Sequence, residues 1–259
     1  MTLSDMQEKL KKLNLDAYIV TYGNRHIGQD ILPCEHKLKY LCGFGGSAGL
    51  LVVTIDKAFL FVDGRYELQA RKEVDLTKIS VINETPDFSN ACRFLQKSKV
   101  KTVAYDEMCI SAAEQKAAEK QYPDLKFINS GDWTDLDCKN PIKIMTRPLQ
   151  YAGKSREEKI LQITALLKKH NADYYLLTAA DSVSWLLNIY AKDLPCSPIV
   201  RAYALLDKNG GAFLIGDNLQ SDLPVWTHSH LLDWLRHNEA KILYDPNTIS
   251  IGLEKLLLN

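Results

Sequence analysis

Leu-Lys-Lys-Leu-Asn-Leu-Asp-Ala-Tyr-Ile-Val-Thr, residues 10–21, returns as Leu-Lys-Lys-His-Asn-Ala-Asp-Tyr-Tyr-Leu-Leu-Thr at residues 167–178. Seven of the twelve positions are identical at an offset of 157. Such an internal repeat indicates that one structural unit occurs twice in the chain. Each copy joins the end of an apolar-periodic helix to a short apolar strand. The repeat therefore predicts two related α/β domains.

The helix before each copy carries its own start signal. Ser4 with Gln7, and Ser155 with Glu158, fit capping boxes, in which a hydroxyl and a side chain three residues later satisfy free amide donors. Helical spacing predicts one buried face on each helix, formed by Met6, Leu10 and Leu13 and by Ile160, Ile163, Leu166 and Leu167.

Short apolar runs predict the strands that follow. The two repeats give strands at 17–21 and 174–178, and matching strands begin at Ala58 and Ala212, at an offset of 154. The first half has an extra strand, helix and strand, predicted at 100–105, 111–121 and 125–128.

A cluster of proline and glycine separates the two halves. Gly131, Pro141, Pro148 and Gly153 mark a connector at about 131–154. The first domain is therefore predicted to span 1–150 and the second 151–259.

Composition narrows the class of protein. The 259 residues carry 32 basic and 32 acidic side chains. The chain therefore lacks the net positive charge that would favour a nucleic-acid partner. The longest apolar runs have about five residues, against about 20 for a membrane helix, and the N-terminus lacks the apolar stretch of a signal peptide. These short runs predict no membrane partner. Six cysteines without a Cys-x-x-Cys pair predict reduced thiols in a cytoplasmic protein.

Two segments of the first half attract attention as possible sites. Gly-Phe-Gly-Gly-Ser-Ala-Gly at 43–49 contains a loose dinucleotide fingerprint, but it precedes a predicted strand at 50–54 instead of a helix, so a tightly packed turn is favoured. Asp63 is predicted to cap the next helix. Arg65 would then oppose the helix dipole, which indicates either a surface ion pair or a carboxylate partner such as substrate.

The second half offers weaker signals. His228 and His230 are predicted to be exposed in a loop after Trp226, with a metal site as the less favoured alternative. Asp181 is predicted to cap a helix over 181–188 that buries Trp185 in the core. Asp63, Asp106 and Asp181 are unpaired in sequence, so the residues alone name no carboxylate dyad and assemble no catalytic site.

Several segments resemble one known family, in order along nearly the whole chain. They read Tyr-Leu-Cys-Gly-Phe-Gly-Gly-Ser-Ala-Gly at 40–49, Phe-Val-Asp-Gly-Arg-Tyr at 61–66, Leu-Gln-Ala at 68–70, Tyr-Ala-Gly-Lys-Ser at 151–155, Lys159, Asp-Ser-Val-Ser-Trp-Leu-Leu-Asn-Ile at 181–189 and Asp-Leu-Pro at 193–195. The chain is similar in these segments to the N-terminal part of the long, three-domain Xaa-Pro aminopeptidases (aminopeptidase P).

The resemblance implies a fold and a reaction. The fold is two creatinase/prolidase N-terminal-type domains, each a mixed β-sheet flanked by helices. The family removes an N-terminal residue that precedes proline, using two metal ions, usually manganese, held by a third, pita-bread domain. That domain's ligand motifs have no counterpart here, so no residue of this chain is expected to be a catalytic or metal ligand, and the chain alone is expected to be inactive.

The resemblance also implies partners and one site residue. Arg65 occupies the position of an arginine near the active-site mouth, where it would help to orient a peptide with proline at the second position. The expected partners are the protein's own C-terminal catalytic domain and further copies of the protein in a homo-oligomer. The expected contribution of this chain is substrate access and oligomer contacts.

Two departures and one alternative accompany this interpretation. Where the family often reads Asn-x-Arg-Gly, this chain reads Asn-Ile-Tyr-Ala at 188–191, and Gly45 replaces the Thr or Asp that often precedes Gly-Ser-Ala-Gly. Any contact of that missing arginine is lost here. The alternative function is a stand-alone module that binds peptides or proteins and lacks the catalytic domain.

Overall fold

A computed structural model describes residues 1–28, 30–134, 136 and 140–258. The chain forms two compact units. Unit 1 comprises Met1–Arg25 and Ile31–Cys138, and unit 2 comprises His26–Asp30 and Lys139–Asn259. The domain bounds of 1–150 and 151–259 stay a prediction.

Unit 1 contains helices and strands in near alternation. Its elements are α1 (Leu3–Leu13), β1 (Ala17–Thr21), a 3₁₀ turn (Pro33–Glu35), α2 (Lys37–Cys42), β2 (Leu50–Thr54), β3 (Ala58–Val62), α3 (Glu67–Glu73), β4 (Ile79–Asn83), α4 (Phe88–Lys97), β5 (Thr102–Tyr105), α5 (Ala112–Gln121) and β6 (Lys126–Asn129).

The strands of unit 1 form one six-stranded mixed sheet in the order β4-β3-β2-β1-β5-β6. β2 pairs antiparallel with β1 and β3, and the remaining pairs are parallel. β1 and β2 each bury four consecutive residues, as expected for strands covered on both faces. Met6 and Leu10 of α1 pack into the same apolar cluster as residues of β2 and β3.

Unit 2 repeats this construction with shorter strands. Its elements are β7 (Ile142–Lys143), β8 (Met145–Thr146), α6 (Leu149–Ala152), α7 (Arg156–Lys169), β9 (Tyr174–Leu177), α8 (Ala180–Leu187), β10 (Ile189–Tyr190), β11 (Tyr203–Asp207), β12 (Ala212–Ile215), β13 (Leu219–Gln220), β14 (Val225–Trp226), α9 (His228–Arg236), β15 (Ile242–Leu243) and α10 (Ile251–Leu258). The main sheet has the order β14-β12-β11-β9-β15, and β10–β8 and β13–β7 form two small ribbons.

The two main sheets have the same topology. β9, β11, β12, β14 and β15 occupy the positions of β1, β2, β3, β4 and β5, and every corresponding pair runs in the same sense. β6 is the additional edge strand of unit 1. The prediction of two related α/β domains with mixed sheets is confirmed.

Helix starts and faces test the finer predictions. Ser155 and Glu158 form the predicted capping box. The box on α1 is formed instead by Thr2 and Asp5, because the helix begins before Ser4. Leu13 and Leu166 are half-exposed, against the prediction. Leu166 falls outside the stripe of α7 that faces the sheet, which runs through positions 160, 163 and 167 at helical spacing.

The cysteine prediction needs one correction. Cys34 is disulfide-bonded, so the expectation of six reduced thiols is wrong there. Cys42, Cys92, Cys109 and Cys196 are free, and Cys138 lies outside the described residues. Within the described part of the chain, no helix combines the length and the apolar character that crossing a membrane requires.

Candidate functional site

The two segments singled out in the first half lie together in unit 1. The loop at 43–49 begins at Gly43, which ends α2 with a φ of 81°, and leads directly into β2. The Gly45 amide donates to Glu73 of α3 (2.8 Å), and the hydroxyls of Ser47 and Tyr66 are 2.5 Å apart. These bonds fix the loop against the turn that contains Arg65.

Close packing explains the glycines of this loop. A Cβ on Gly46 would overlap the buried Phe44 ring and lie 2.8 Å from Tyr66 Cδ1, and one on Gly49 would lie 2.8 Å from Leu38 Cδ1. The prediction of a tightly packed turn is confirmed. A dinucleotide fingerprint needs a helix start after the glycines, and here a strand follows.

The turn at 63–66 holds Arg65 in a fixed geometry. Asp63 accepts hydrogen bonds from the Arg65 backbone amide (2.9 Å), from Nε (2.9 Å) and from Nη2 (2.8 Å). The prediction that Asp63 caps α3 is wrong. Tyr66 occupies the N-cap position without a side-chain capping bond, because the Asp63 carboxylate turns back onto Arg65 within the same turn.

Arg65 is oriented and still accessible. Its side chain is 72% exposed, and its guanidinium carbon lies 5.4 Å from the centroid of the Tyr66 ring. Its Nη1 has no hydrogen-bond partner among the described residues. The ion pair with Asp63 is therefore present, and one edge of the guanidinium still faces solvent, where it can bind a carboxylate or a carbonyl.

The charges of this pair support each other. The hydrogen bond from the Arg65 side chain is the main cause that holds the pKa of Asp63 below its ordinary value. The same bond raises the pKa of Arg65. Asp63 thus stays ionised and Arg65 stays charged across the neutral range, so a permanent cation is presented at the end of β3.

His228 and His230 of unit 2 lie in a helix and not in the predicted loop. Thr227 caps α9 through the His230 amide, so the helix begins at His228. The His228 ring pairs with Asp217 (2.9 Å), whereas the His230 ring stacks on Trp226 with centroids 4.4 Å apart. The two imidazoles therefore have different partners. Within the described residues no group of three or more His, Cys, Asp or Glu side chains could hold a metal ion.

Trp185 was predicted to be a core residue, and this is wrong. Its side chain is 61% exposed on α8, while its neighbours Val183, Leu186 and Leu187 are buried. Asp181 lies in the first turn of α8 and does not cap it, because Ala179 is the N-cap residue. Sequence reasoning also gave no role to Lys159, which is only 2% exposed and lies against the Trp185 ring.

Comparison with known proteins identifies the fold family. Two sequence models, both described as the creatinase/prolidase N-terminal domain, match the chain. One matches residues 3–136 and the other matches residues 138–258. The chain belongs to the creatinase/prolidase N-terminal domain family. Each unit of this family member thus corresponds to one match.

Two relatives of this chain are named as probable Xaa-Pro aminopeptidases. The chain is 27% identical over 254 residues to a probable Xaa-Pro aminopeptidase P of Coprinopsis cinerea, covering 90% of this chain and 41% of that protein. It is 30% identical over 217 residues to the corresponding protein of Paracoccidioides brasiliensis, covering 79% of this chain and 35% of that one. The chain thus spans well under half the length of these relatives.

A solved structure shares the fold of most of this chain. The X-prolyl aminopeptidase of Caenorhabditis elegans, described as a cytosolic enzyme with a di-nuclear active site, superposes with a TM-score of 0.78. The match covers 92% of this chain and 44% of that one at 21% identity. At this identity it supports the shared fold of both units.

Proposed function

We propose that this chain forms the two N-terminal domains of a metal-dependent Xaa-Pro aminopeptidase, which removes the N-terminal residue preceding proline. The observation that carries the proposal is the alignment of 90% of the chain with a relative named as such an enzyme. The described residues offer no ligand set for the two manganese ions that the family resemblance implies. The role proposed for this chain is to shape substrate access and to make oligomer contacts.

Arg65 is the residue through which unit 1 would act on substrate. Asp63 holds two of the guanidinium nitrogens, and the Tyr66 ring lies beside them, so the side chain is ordered before any ligand arrives. An ordered cation loses little conformational freedom on binding. Its open edge would orient the carboxylate or a backbone carbonyl of a peptide with proline at the second position.

The remaining partners are the enzyme's own catalytic domain and further copies of the protein. A cytoplasmic location is part of the proposal, and the description of the Caenorhabditis elegans relative as cytosolic supports it.

Activity measurements on two samples test the proposal. One sample is this chain alone, and the other is the natural polypeptide that contains it, purified from its source. Each is assayed with Mn²⁺ on an X-Pro peptide and on the matched X-Ala peptide. We expect the natural polypeptide to cleave the X-Pro peptide alone and the chain by itself to cleave neither.

Two outcomes would overturn the proposal. Cleavage of the X-Pro peptide by the chain alone would show that the assignment of chemistry to another domain is wrong. A natural polypeptide that ends with this chain and cleaves nothing would favour the stand-alone binding module.

A further inference from the structure

A groove of about 280 Å³ opens on unit 2. It lies among α6, α7 and α8. The residues that give it chemical character are Arg147, Tyr151, Lys159, Asp181, Trp185 and Asn188.

Lys159 forms the buried floor of this groove. Its Nζ donates to the Trp185 carbonyl and to Asn188 Oδ1, both at 2.6 Å, and lies 4.1 Å from the centroid of the Trp185 ring. Among the described residues no carboxylate forms an ion pair with it. A buried ammonium is normally paired with a carboxylate, so this one carries uncompensated positive charge.

Arg147 adds a second cation to the wall. Its guanidinium carbon lies 5.5 Å from the centroid of the Tyr190 ring, and its backbone amide donates to the Asn188 carbonyl (2.7 Å). Within the described part of the chain its side chain has no acidic partner. Burial is the main cause that lowers the pKa of Lys159, and the charges of Arg147 and Lys154 lower it further.

Aromatic surface completes the groove. Trp185 is 61% exposed and Tyr151 is 72% exposed, so an indole and a phenol ring stand in water on the same rim. Tryptophan, tyrosine and arginine are the residue types that dominate binding energy at interfaces. The aromatic faces give this groove the apolar half of a binding site, and the two cations give it the charged half.

We propose that this groove binds an acidic peptide segment, with a carboxylate on Arg147, in the positive field of the buried Lys159 ammonium, and the adjoining apolar side chain on Trp185. Two lining cations against the single carboxylate of Asp181 leave one net positive charge, which matches a singly charged carboxylate. The volume is near the lower end of ligand pockets, about 300 Å³, and suits one or two side chains.

The site is independent of Arg65 and of the aminopeptidase proposal. It consists of residues of unit 2 alone, and its occupancy can be measured without enzyme activity. A failure to bind peptide would therefore leave the proposed function standing, and an inactive enzyme would leave this site standing.

Tryptophan indole signals provide the test. The chain, labelled with ¹⁵N in its four tryptophans, is titrated with acetyl-Glu-Phe-amide and with the uncharged acetyl-Gln-Phe-amide. Trp185→Phe assigns the Trp185 signal. We expect the Glu peptide to shift this signal with a Kd of about 1 mM or below and the Gln peptide to bind about tenfold more weakly.

A pair of arginine variants locates the charge. Arg147→Gln is expected to remove the preference for the Glu peptide. Arg236→Gln, which removes a 52% exposed arginine paired with Asp233 in the same unit, is expected to leave it unchanged.

Three results would overturn the inference: no shift of the Trp185 signal at about 10 mM peptide, equal binding of the two peptides, or an unchanged preference in folded Arg147→Gln. The comparison of the two peptides uses the unaltered chain, so it tests the preference for a carboxylate even if a variant folds poorly.

Discussion

The two units share one sheet topology, but each contains a buried lysine whose ammonium has different partners. In unit 1, Lys37 at the start of α2 is 6% exposed and forms an ion pair with Asp132 (3.0 Å). In unit 2, Lys159 is 2% exposed, and its ammonium contacts two neutral oxygens and an aromatic face. The same architecture therefore compensates one cation internally and leaves the other on the floor of a groove.

The pKa directions follow from these surroundings. Burial alone would lower the pKa of Lys37, but negative charge on Cys109 and Asp132 raises it above its ordinary value. Because burial raises the pKa of Cys109 to about 12, Asp132 is the charged partner at neutral pH. Burial lowers the pKa of Lys159, and nearby cations lower it further. The charge of Lys37 is thus compensated within unit 1, whereas that of Lys159 is not compensated by a carboxylate of the described residues.

The largest expected effect comes from removing each ammonium. Lys37→Met leaves the Asp132 carboxylate half-buried without its cation, and we expect it to destabilise unit 1 by about 3 kcal/mol. Lys159→Met loses two hydrogen bonds but also removes an uncompensated charge, so we expect a loss of about 1 kcal/mol in unit 2.

Fluorine NMR can follow each unit separately during urea unfolding. With 5-fluorotryptophan, Trp133 reports on unit 1, and the tryptophans at 185, 226 and 234 report on unit 2. Equal losses for the two variants would remove the distinction between the two lysines.

The segments after α2 and α8 differ in a second way. In unit 1 the segment after α2 is the packed glycine loop. In unit 2 the segment after α8 begins at Asn188, whose side-chain amide donates to the Lys154 carbonyl (2.9 Å). Gly46→Ala would force a methyl group into the fully buried Phe44 ring, and we expect it to destabilise unit 1 by about 2 kcal/mol. The Trp133 fluorine signal measures this loss.

Gly64→Ala is the matched control for the loop variant. No atom lies within 4 Å of a Cβ added at Gly64, so its effect should stay within about 0.5 kcal/mol. A similar loss in both variants would mean that the close packing of the loop does not limit the stability of unit 1.

The smallest effect is on titration. We expect the ¹³Cε signal of Lys159 to titrate below the ordinary lysine pKa of 10.5 and that of Lys37 above it, with Met variants for assignment. Lys159 then binds its proton more weakly in the folded state, so its contribution to stability rises as the pH climbs towards 10.5. The Lys37 contribution is complete below 10.5 and is lost as the pH rises above it. The reverse order of titration would contradict both assignments.

Much of the fold could be predicted from local patterns. The strands at 17–21, 50–54 and 58–62 match the structure because each is an apolar run bounded by polar or turn-forming residues. The repeat predicted the second unit because the same helix-to-strand junction recurs at 167–178. These features depend on residues that are neighbours in sequence.

The site features depended on contacts that sequence does not show. Trp185 was placed in the core because apolar residues surround it in α8, whereas Lys159 takes the buried position beneath its ring. The partnership of Lys37 with Asp132 joins residues far apart in the chain. The Asp63 carboxylate can accept a hydrogen bond either from the Arg65 side chain or from an amide at the start of α3. The sequence does not show which of these two hydrogen bonds is the stronger.

The most direct measurement is kcat/KM for an X-Pro peptide in the natural polypeptide carrying Arg65→Ala. Arg71→Ala is the control, because Arg71 is a 48% exposed arginine on neighbouring α3, paired with Glu67. A substrate-orienting role for Arg65 predicts at least about a tenfold fall in kcat/KM, with the control unchanged. A value within about twofold of the unaltered enzyme would contradict that role.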